Sequence, residues 1–250
     1  MTSFQATRGF TLMEMIIALV ILAIISLAVG NFLQFGAQSY LDTVHRDRSQ
    51  QIARFALEKM SRELRHAAPN SVQTEQDGQC VAFYPVMASG AYWGSARDQS
   101  QLTVGWNSEA APDIRVGDHV AIGYYGFREY ERQRLSVVSL DVSAHQLNLN
   151  DIAIADSPGQ RFYIYRQKVR FCVEQGALYR LIGDEPASPL NQIADHLVLP
   201  DPDQSEPQQV FSASGGAANF GVVQIFLKVQ RERSDEVSRY NHTVQVINVL

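Results

Sequence analysis

Hydrophobic positions dominate the start of the chain, where a long apolar run contains one acidic residue. Within residues 10–29, the polar residues are Thr11, Glu14 and Ser26. A helix of this length, at about 1.5 Å per residue, extends roughly 30 Å, which matches the hydrocarbon core of a bilayer. The pattern therefore predicts a membrane-length helix. It also raises the question of why Glu14 is present, because an ionised carboxylate is costly to bury.

The helical pattern continues after the apolar run. Apolar residues recur at steps of three or four, first at Leu33, Ala37, Tyr40 and Val44 and then at Ala53, Leu57, Met60, Leu64 and Ala67. Charged residues fall largely between the members of the second set, which is typical of an amphipathic helix with one buried face. Pro69 cannot continue a helix. The pattern therefore predicts one long helix over residues 10–68.

From residue 69 onward, the hydrophobic positions fall in short runs rich in β-branched and aromatic residues, which is typical of strands. The runs include CVAFYPV, QLTVGW, DHVAIGYY, RLSVVSL, ALYRLI and FGVVQIFLKVQ. Turn residues separate them at Gly117-Asp118, at residues 214–216, and at Gln175-Gly176, where a hairpin is predicted. Residues 183–207 hold five of the nine prolines, so most of this segment is predicted to be a loop.

These elements predict an α+β fold. The long helix, hydrophobic first and amphipathic afterwards, is expected to pack on an antiparallel β-sheet head, because no alternating helices call for a parallel sheet. The head is large enough for an enlarged sheet or for two small subsheets. A chain of 250 residues accommodates such a head together with an N-terminal appendage.

Composition and charge narrow the range of functions. Hydrophobic residues make up 46% of the chain and charged residues 19%, which are values of a folding protein. The net charge is −5 and no run is rich in Lys and Arg, so the chain lacks the basic footprint that nucleic-acid binding requires. We therefore expect no nucleic-acid partner.

Three processing routes fit an apolar N-terminal segment. A cleaved secretory signal needs a small-residue site at its far end, and GNFLQFGAQSY offers no convincing one. An uncleaved signal anchor fits the hydropathy, with Glu14 near the interface and reaching water. Cleavage before the apolar run is the third route. Arg8 precedes the run and mixed charges follow it from Asp42, which favours a cytoplasmic N-terminus.

The residues that follow Arg8 distinguish between these routes. The stretch RGFTLMEM places Gly9 before Phe10 and puts Glu14 fifth when counting starts at Phe10. This arrangement resembles the processing site of type IV prepilins and of the pseudopilins of type II secretion. Those proteins have a short polar leader ending in Gly, an aromatic first mature residue and Glu at the fifth mature position. Each element alone is weak, but the joint match with Thr11 and Leu12 is specific.

The resemblance implies a division of the chain and a fate for its N-terminus. The implied parts are a leader of residues 1–9, a pilin helix of residues 10–68 and a β-rich periplasmic head of residues 69–250. Residues 10–29 would lie in the membrane and later in the filament core. Prepilin peptidase would cleave between Gly9 and Phe10, and the new α-amine of Phe10 would be methylated. Glu14 would pair with that amine on a neighbouring subunit, which compensates both charges and sets the axial register.

Two further segments resemble one branch of this superfamily. RFALEKMSRELRHAAPNSV and CVAFYPVMASGAYW are similar to minor pilins of the mannose-sensitive haemagglutinin (MSHA) biogenesis system, a branch related to the larger J-type pseudopilins. The resemblance implies a single-pass protein of the bacterial inner membrane that later enters a filament. The implied partners are prepilin peptidase, other major and minor pilins and the inner-membrane assembly platform. The implied role is structural, in a tip complex that primes assembly.

Two alternatives to a minor pilin stay open. A J-type pseudopilin of type II secretion would carry the same motif and the same helix. A signal-anchored periplasmic binding protein, such as a lectin, would leave Glu14 incidental. Three aromatic residues form a candidate sugar-binding surface for that second alternative, although aromatic residues on strands are usually core residues: Tyr92, Trp93 and Trp106.

The two cysteines, Cys80 and Cys172, would both lie outside the cytoplasm. An even number of cysteines in an oxidising compartment more often forms a disulfide than a metal or redox site. A disulfide between them is therefore predicted, with two independently buried thiols as the alternative.

The remaining motifs favour no catalytic, cofactor or metal site. The six histidines show no zinc-ligand spacing, and the chain contains no GxSxG, Walker A or GxGxxG element. Asp201, Asp203 and Glu206 cluster acids in a Pro-rich segment, but the EF-hand pattern for calcium is absent. We expect a protein that is not an enzyme and that carries no cofactor.

Overall fold

The computed structural model describes residues 11–107, 113–199, 209–216, 219–232 and 234–247. A long N-terminal helix is followed by antiparallel strands, which confirms the predicted α+β fold. The helices are α1 (Leu12–Arg65) and α2 (Phe127–Arg132), with a 3-10 turn at Gln76–Gly78. The strands are β1 (Gln73–Glu75), β2 (Cys80–Phe83), β3 (Ala88–Trp93), β4 (Gln101–Trp106), β5 (His119–Ala121), β6 (Val137–Asp141), β7 (Gln146–Leu149), β8 (Arg161–Tyr165), β9 (Val169–Glu174), β10 (Ala177–Ile182), β11 (Gln192–Ala194), β12 (Leu197–Val198), β13 (Phe211–Gly216), β14 (Asn219–Gln230) and β15 (Val237–Gln245).

The chain divides into two compact units, Met1–Arg48 and Ser49–Leu250. In the described part of the first unit, the large apolar side chains of α1 are exposed, with exposed fractions between 44% at Val44 and 79% at Leu12. This part of α1 has the length and composition of a membrane span. The predicted boundaries of leader, helix and head stay predictions.

In the second unit, the last turns of α1 form one wall of the main core. Ala53, Ala56, Met60 and Leu64 are fully buried, at the steps of three and four that define one helical face. They share a hydrophobic cluster with side chains of the five-stranded and four-stranded sheets. Leu57, which the sequence pattern placed on the buried stripe, lies at its half-buried edge.

Helix α1 ends at Arg65, three residues before the predicted end at residue 68. The next residues leave the helix because their main-chain groups pair with the chain after β2. The carbonyl oxygen of His66 accepts a hydrogen bond from Val86 N at 2.9 Å, and Ala68 N donates to Tyr84 O at 2.8 Å. The pairing stops the helix before Pro69 is reached.

Two antiparallel sheets contribute strands to this core. One has the order β1-β2-β9-β10-β11, and in the other β14 pairs with β12, β13 and β15. The predicted hairpin is confirmed between β9 and β10. Its turn residues Gln175 and Gly176 both have positive φ, 49° and 78°, as a two-residue type I′ turn requires.

Two predictions about turns and loops are corrected. Residues 214–216 belong to β13, where Ser214 pairs with Val222 of β14, so the glycines there extend a strand. The segment of residues 183–207 contains two short strands, β11 and β12, in addition to loop. These strands form because each adds to a longer one, β11 to β10 and β12 to β14.

The third sheet, with the order β5-β8-β3-β4-β7-β6, closes into a small barrel. The closing hydrogen bonds join the two ends of this order at residues 118–120 and 135–137: Val120 N donates to Leu135 O at 2.9 Å, and Val137 N donates to Asp118 O at 2.8 Å. Alternate residues of the strands point inward and fill the interior, as expected for a barrel of this size. The buried cluster includes Tyr92, Leu102, Val104, Val120, Ile122, Leu135, Val137, Leu147, Leu149, Phe162 and Ile164.

The barrel is an insertion between two paired strands. Strands β3 to β8 lie between β2 and β9 in sequence, yet β2 and β9 are neighbours in the five-stranded sheet, with Cys80 directly opposite Cys172. The two cysteines form a disulfide, with a sulfur–sulfur distance of 2.13 Å. The covalent bond therefore ties together the two strands from which the barrel departs.

An ion pair lies at the barrel seam. The Asp118 carboxylate, whose side chain is 4% exposed, accepts hydrogen bonds from Arg166 Nε at 2.6 Å and from Arg115 N at 2.8 Å. Burial raises the pKa of Asp118, but these two hydrogen bonds outweigh the burial, so the pKa lies below its ordinary value of 3.8.

Removing the disulfide is expected to lower the free energy of unfolding. Because Cys80 and Cys172 have a sequence separation of 92, the chain-entropy relation gives a loss of about 4–5 kcal/mol for a Cys80→Ala/Cys172→Ala variant. Chemical denaturation of the detergent-solubilised protein with and without reductant measures the loss. The double variant should not respond to reductant. A loss below about 1 kcal/mol would contradict this role of the bond.

Asp118→Asn is expected to lower the free energy of unfolding at pH 7 by about 2 kcal/mol, because Arg166 loses its ionic partner. Since folding lowers the pKa of Asp118, the pair stabilises the protein above the unfolded pKa and is lost as the pH falls through the folded pKa. The difference between wild type and variant should therefore stay constant from pH 7 to about pH 5 and shrink as the pH falls below about 4. Asp151→Asn, which removes an exposed pair with Arg134, should cost less at pH 7.

Candidate functional site

The candidate site is the first turn of α1. Met15 N donates to Thr11 O at 3.2 Å, and Glu14 N donates to the Thr11 side-chain oxygen Oγ1 at 3.3 Å. Thr11 is therefore the N-cap of the helix, and Glu14 is the third helical residue. The order Thr-x-x-Glu is that of a capping box, in which N-cap and third residue satisfy main-chain donors that the helix leaves free.

Sequence reasoning did not assign this role to Thr11. The signal that identifies it is the spacing of Thr11 and Glu14 directly before an apolar run. Glu14 is exposed and lies in the first turn, where a negative charge interacts favourably with the positive end of the helix dipole. The carboxylate is therefore favourably placed within its own chain.

The predicted cleavage junction, Gly9 and Phe10, lies outside the described residues. The assignment of Phe10 as the methylated residue stays a prediction, and so does the pairing of Glu14 with its amine.

The surface around Glu14 is apolar. Its neighbours Met13 and Met15 are 67% and 61% exposed, and the large apolar side chains up to Val44 are also exposed. A membrane or a bundle of such helices would cover them and would take the water away from Glu14 at the same time. Residues 11–44 contain no Lys, Arg or His. A cation that neutralises Glu14 in an apolar environment must therefore come from outside this segment.

The three aromatic residues considered for a sugar-binding surface do not form one. Tyr92 is 1% exposed, and its hydroxyl donates to Oδ1 of the half-buried Asp156 at 3.0 Å. Burial raises its pKa to about 12. Trp106 is half-buried and packs edge-on against Phe162, while Trp93 is 57% exposed on the outer face of its strand. Tyr92 is thus a core residue and cannot contribute to a sugar-binding surface.

The acidic residues Asp201, Asp203 and Glu206 lie outside the described residues. Within the described ranges, one group of potential metal ligands comes close together, and it consists of Cys80, Cys172 and Glu174. Its two sulfur atoms are bonded to each other in the disulfide.

Comparison with known proteins supports the N-terminal site. Residues 5–30 match the family described as the prokaryotic N-terminal methylation motif. The matched range includes Gly9, Phe10 and Glu14 and ends within α1. No curated protein and no solved structure is significantly similar to the chain.

Proposed function

We propose that the chain, whose methylation motif supports a type IV pilin-like protein, is a minor pilin of an MSHA-type pilus, of the MshO kind. It acts structurally, in the complex that initiates or caps the filament, and it is not an enzyme. Prepilin peptidase removes residues 1–9 and the α-amine of Phe10 is methylated. The protein spans the bacterial inner membrane once, with a periplasmic head, and then joins other major and minor pilins at the assembly platform.

The observation that carries this proposal is the position of Glu14. The side chain lies on an exposed apolar helix face, and residues 11–44 provide no cation to neutralise it. Cleavage after Gly9 creates a cation next to this segment, because it exposes the α-amine of Phe10. When the helices of neighbouring subunits bundle, Glu14 of one and the amine of another neutralise each other where water is absent.

Such an ion pair determines which packing arrangement of the helices forms more than it adds to the stability of the filament. Removing two charges from water costs about as much as their attraction returns, whereas leaving either one unpaired is strongly unfavourable. Only the axial offset that brings Glu14 next to a neighbouring amine avoids this penalty. Before assembly, Glu14 is only four residues along the chain from its own Phe10, so we expect an intramolecular pair to be available to the monomer.

A J-type pseudopilin of type II secretion is the alternative, because the same motif and the same apolar helix serve both kinds of filament. A deletion strain distinguishes the two. Loss of surface pili with normal enzyme secretion supports the MSHA-type assignment, whereas loss of secretion with normal pili assigns the chain to the secretion system.

The processing step makes a direct prediction. Co-expression with prepilin peptidase should lower the intact mass by that of residues 1–9 and add one methyl group, as measured by mass spectrometry. Gly9→Leu, which places a bulky side chain at the junction, should keep the full mass under the same conditions. An unchanged mass for the wild type would favour a simple signal anchor.

Replacing Glu14 by Gln separates its two roles. Gln can take the third position of a capping box, but it carries no charge for an ion pair. Glu14→Gln should therefore be cleaved normally, yet enter filaments at least about tenfold less than wild type, because the neighbouring amine stays unpaired. Thr11→Ala, which removes the N-cap and keeps the charge of Glu14, is the matched control. It should enter filaments more efficiently than Glu14→Gln. Quantitative immunoblotting of sheared filaments measures incorporation, and wild-type levels of the Gln variant would refute the ion pair.

A further inference from the structure

The outer face of the barrel carries an exposed tryptophan. Trp93 lies at the end of β3 and points outward, whereas its neighbour Tyr92 belongs to the core of the barrel. The indole of Trp93 reaches across β4 to Gly105, where a β-carbon would lie 2.9 Å from Cη2 and 3.3 Å from Cζ3 of the ring. A glycine within a strand allows such a close approach to the main chain. The indole therefore lies against β4 on one side and is open to solvent on the other.

The side chains next to Trp93 on this face are polar and uncharged. Thr103 of β4 is directly opposite Trp93, and Gln146 of β7 is directly opposite Thr103. Gln101 lies two residues from Thr103 on the same side of β4, and its Nε2 donates to Gln146 Oε1 at 3.0 Å. Gln101 and Thr103 are exposed, and Gln146 is half-buried. We call the surface formed by Trp93, Gly105, Thr103, Gln101 and Gln146 the β4 face.

The two paired amides keep hydrogen-bonding groups that no described residue uses. A side-chain amide has a carbonyl oxygen and two N–H donors. In the pair, Gln101 keeps its Oε1 and one N–H, and Gln146 keeps both of its N–H donors. An acceptor and donors therefore lie side by side on the surface. Neighbouring hydroxyl groups of a sugar ring match this arrangement, because each hydroxyl both donates and accepts.

The β4 face is poorly suited to other classes of ligand. Its five residues carry no charge, and the flanking strands β8 and β6 add Arg161 and Asp141 to the same side of the sheet, with opposite signs. A strongly charged ligand is therefore not favoured. Strand β4 pairs with β3 on one side and with β7 on the other, so it offers no free edge to a peptide. A wholly apolar ligand would remove water from the amides without replacing their hydrogen bonds.

We propose that the β4 face binds a neutral oligosaccharide whose pyranose rings are joined by equatorial linkages. One ring places its C–H groups on the free side of the Trp93 indole, since the negative face of an aromatic ring attracts such weakly positive groups. Another ring bonds to Gln101 and Gln146 through neighbouring hydroxyl groups. Neutral hydroxyls next to an apolar ring face are the chemistry that this combination of side chains recognises.

The spacing along β4 selects an extended chain. Gly105, which carries the indole, and Gln101 are four residues apart, or about 14 Å at the rise of an antiparallel strand. A single sugar ring does not cover this distance, whereas an extended oligosaccharide that runs along β4 does. Equatorial linkages keep such a chain straight, and axial linkages coil it. The barrel belongs to the second unit, so this inference does not depend on Glu14 or on the proposed function.

The test is isothermal titration calorimetry of the full chain in a polyoxyethylene detergent, which has no sugar headgroup. Cellohexaose and chitohexaose are the probes, because they distinguish a glucose chain from an N-acetylglucosamine chain. At least one of them should bind, and its affinity should be unchanged in about 0.5 M salt, since the contacts involve no charge. Maltohexaose, whose axial linkages coil the chain, should bind at least about fivefold more weakly, because it cannot reach the indole and the amides together.

Variants of the aromatic residue locate the site. Trp93→Leu keeps an apolar side chain over Gly105 but removes the ring, and it should weaken binding at least about fivefold. Trp93→Tyr keeps a flat ring and should retain most of the affinity that Trp93→Leu loses. The matched control is Tyr125→Leu, which removes an exposed aromatic ring from the loop before α2. The control should bind like wild type.

Variants of the amides test the second contact. Gln101→Ala/Gln146→Ala should weaken binding about tenfold, because hydrogen bonds to the sugar hydroxyls are lost. Gln79→Ala/Gln167→Ala, which removes two exposed amides outside the β4 face, is the matched control and should bind like wild type. Thermal unfolding of every variant establishes that it is folded.

Three outcomes would overturn the proposal. The first is no detectable binding of either cellohexaose or chitohexaose to the wild type. The second is wild-type affinity of Trp93→Leu, or a loss no larger than that of Tyr125→Leu, which would leave the indole a purely structural cover for Gly105. The third is binding of maltohexaose as tight as that of the two probes, which would indicate an unselective contact with sugars.

Discussion

Burial of the apolar side chains of α1 is favourable, but the chain itself buries only some of them. In the second unit, strands bury one face of the helix, and Ala53, Ala56, Met60 and Leu64 become core residues. In the described part of the first unit, the large apolar residues are exposed. Burial of apolar surface is the main driving force of folding and association, so these residues require a membrane or other helices. The methylation motif at residues 5–30 lies at the start of this same segment.

Glu14 shows how one carboxylate meets two requirements. In the single chain it lies in the first turn with Thr11 as N-cap, where the helix dipole favours a negative charge. Surrounded by other apolar helices, it would need a cation, and residues 11–44 hold none. A charge that is tolerated in one state and costly in the other is suited to control which packing arrangements are allowed.

The second unit depends on a different constraint, the pairing of β2 with β9. These strands are adjacent in the sheet although a whole barrel separates them in sequence. The barrel closes on itself through main-chain hydrogen bonds and has its own core, and a third buried cluster, which includes Ala82, Tyr84 and Tyr165, packs it against the sheet that carries it. The disulfide between Cys80 and Cys172 holds the two ends of the insertion together. The second unit thus contains the barrel as an insertion between two strands that stay paired in the helix-packed sheets.

The sequence alone determined the elements that depend on neighbouring residues. The apolar run, the amphipathic stripe of α1, the antiparallel character of the strands and the hairpin at Gln175-Gly176 all follow from periods and turn residues within short windows. Tertiary structure decided which distant strands are partners. The barrel, the position of Cys80 opposite Cys172, and the hydrogen bond between Gln101 and Gln146 join residues far apart in sequence, and the period of a strand does not encode its partner. The same reason explains why residues 214–216 extend β13 and why β11 and β12 form: each becomes a strand because a longer strand lies beside it.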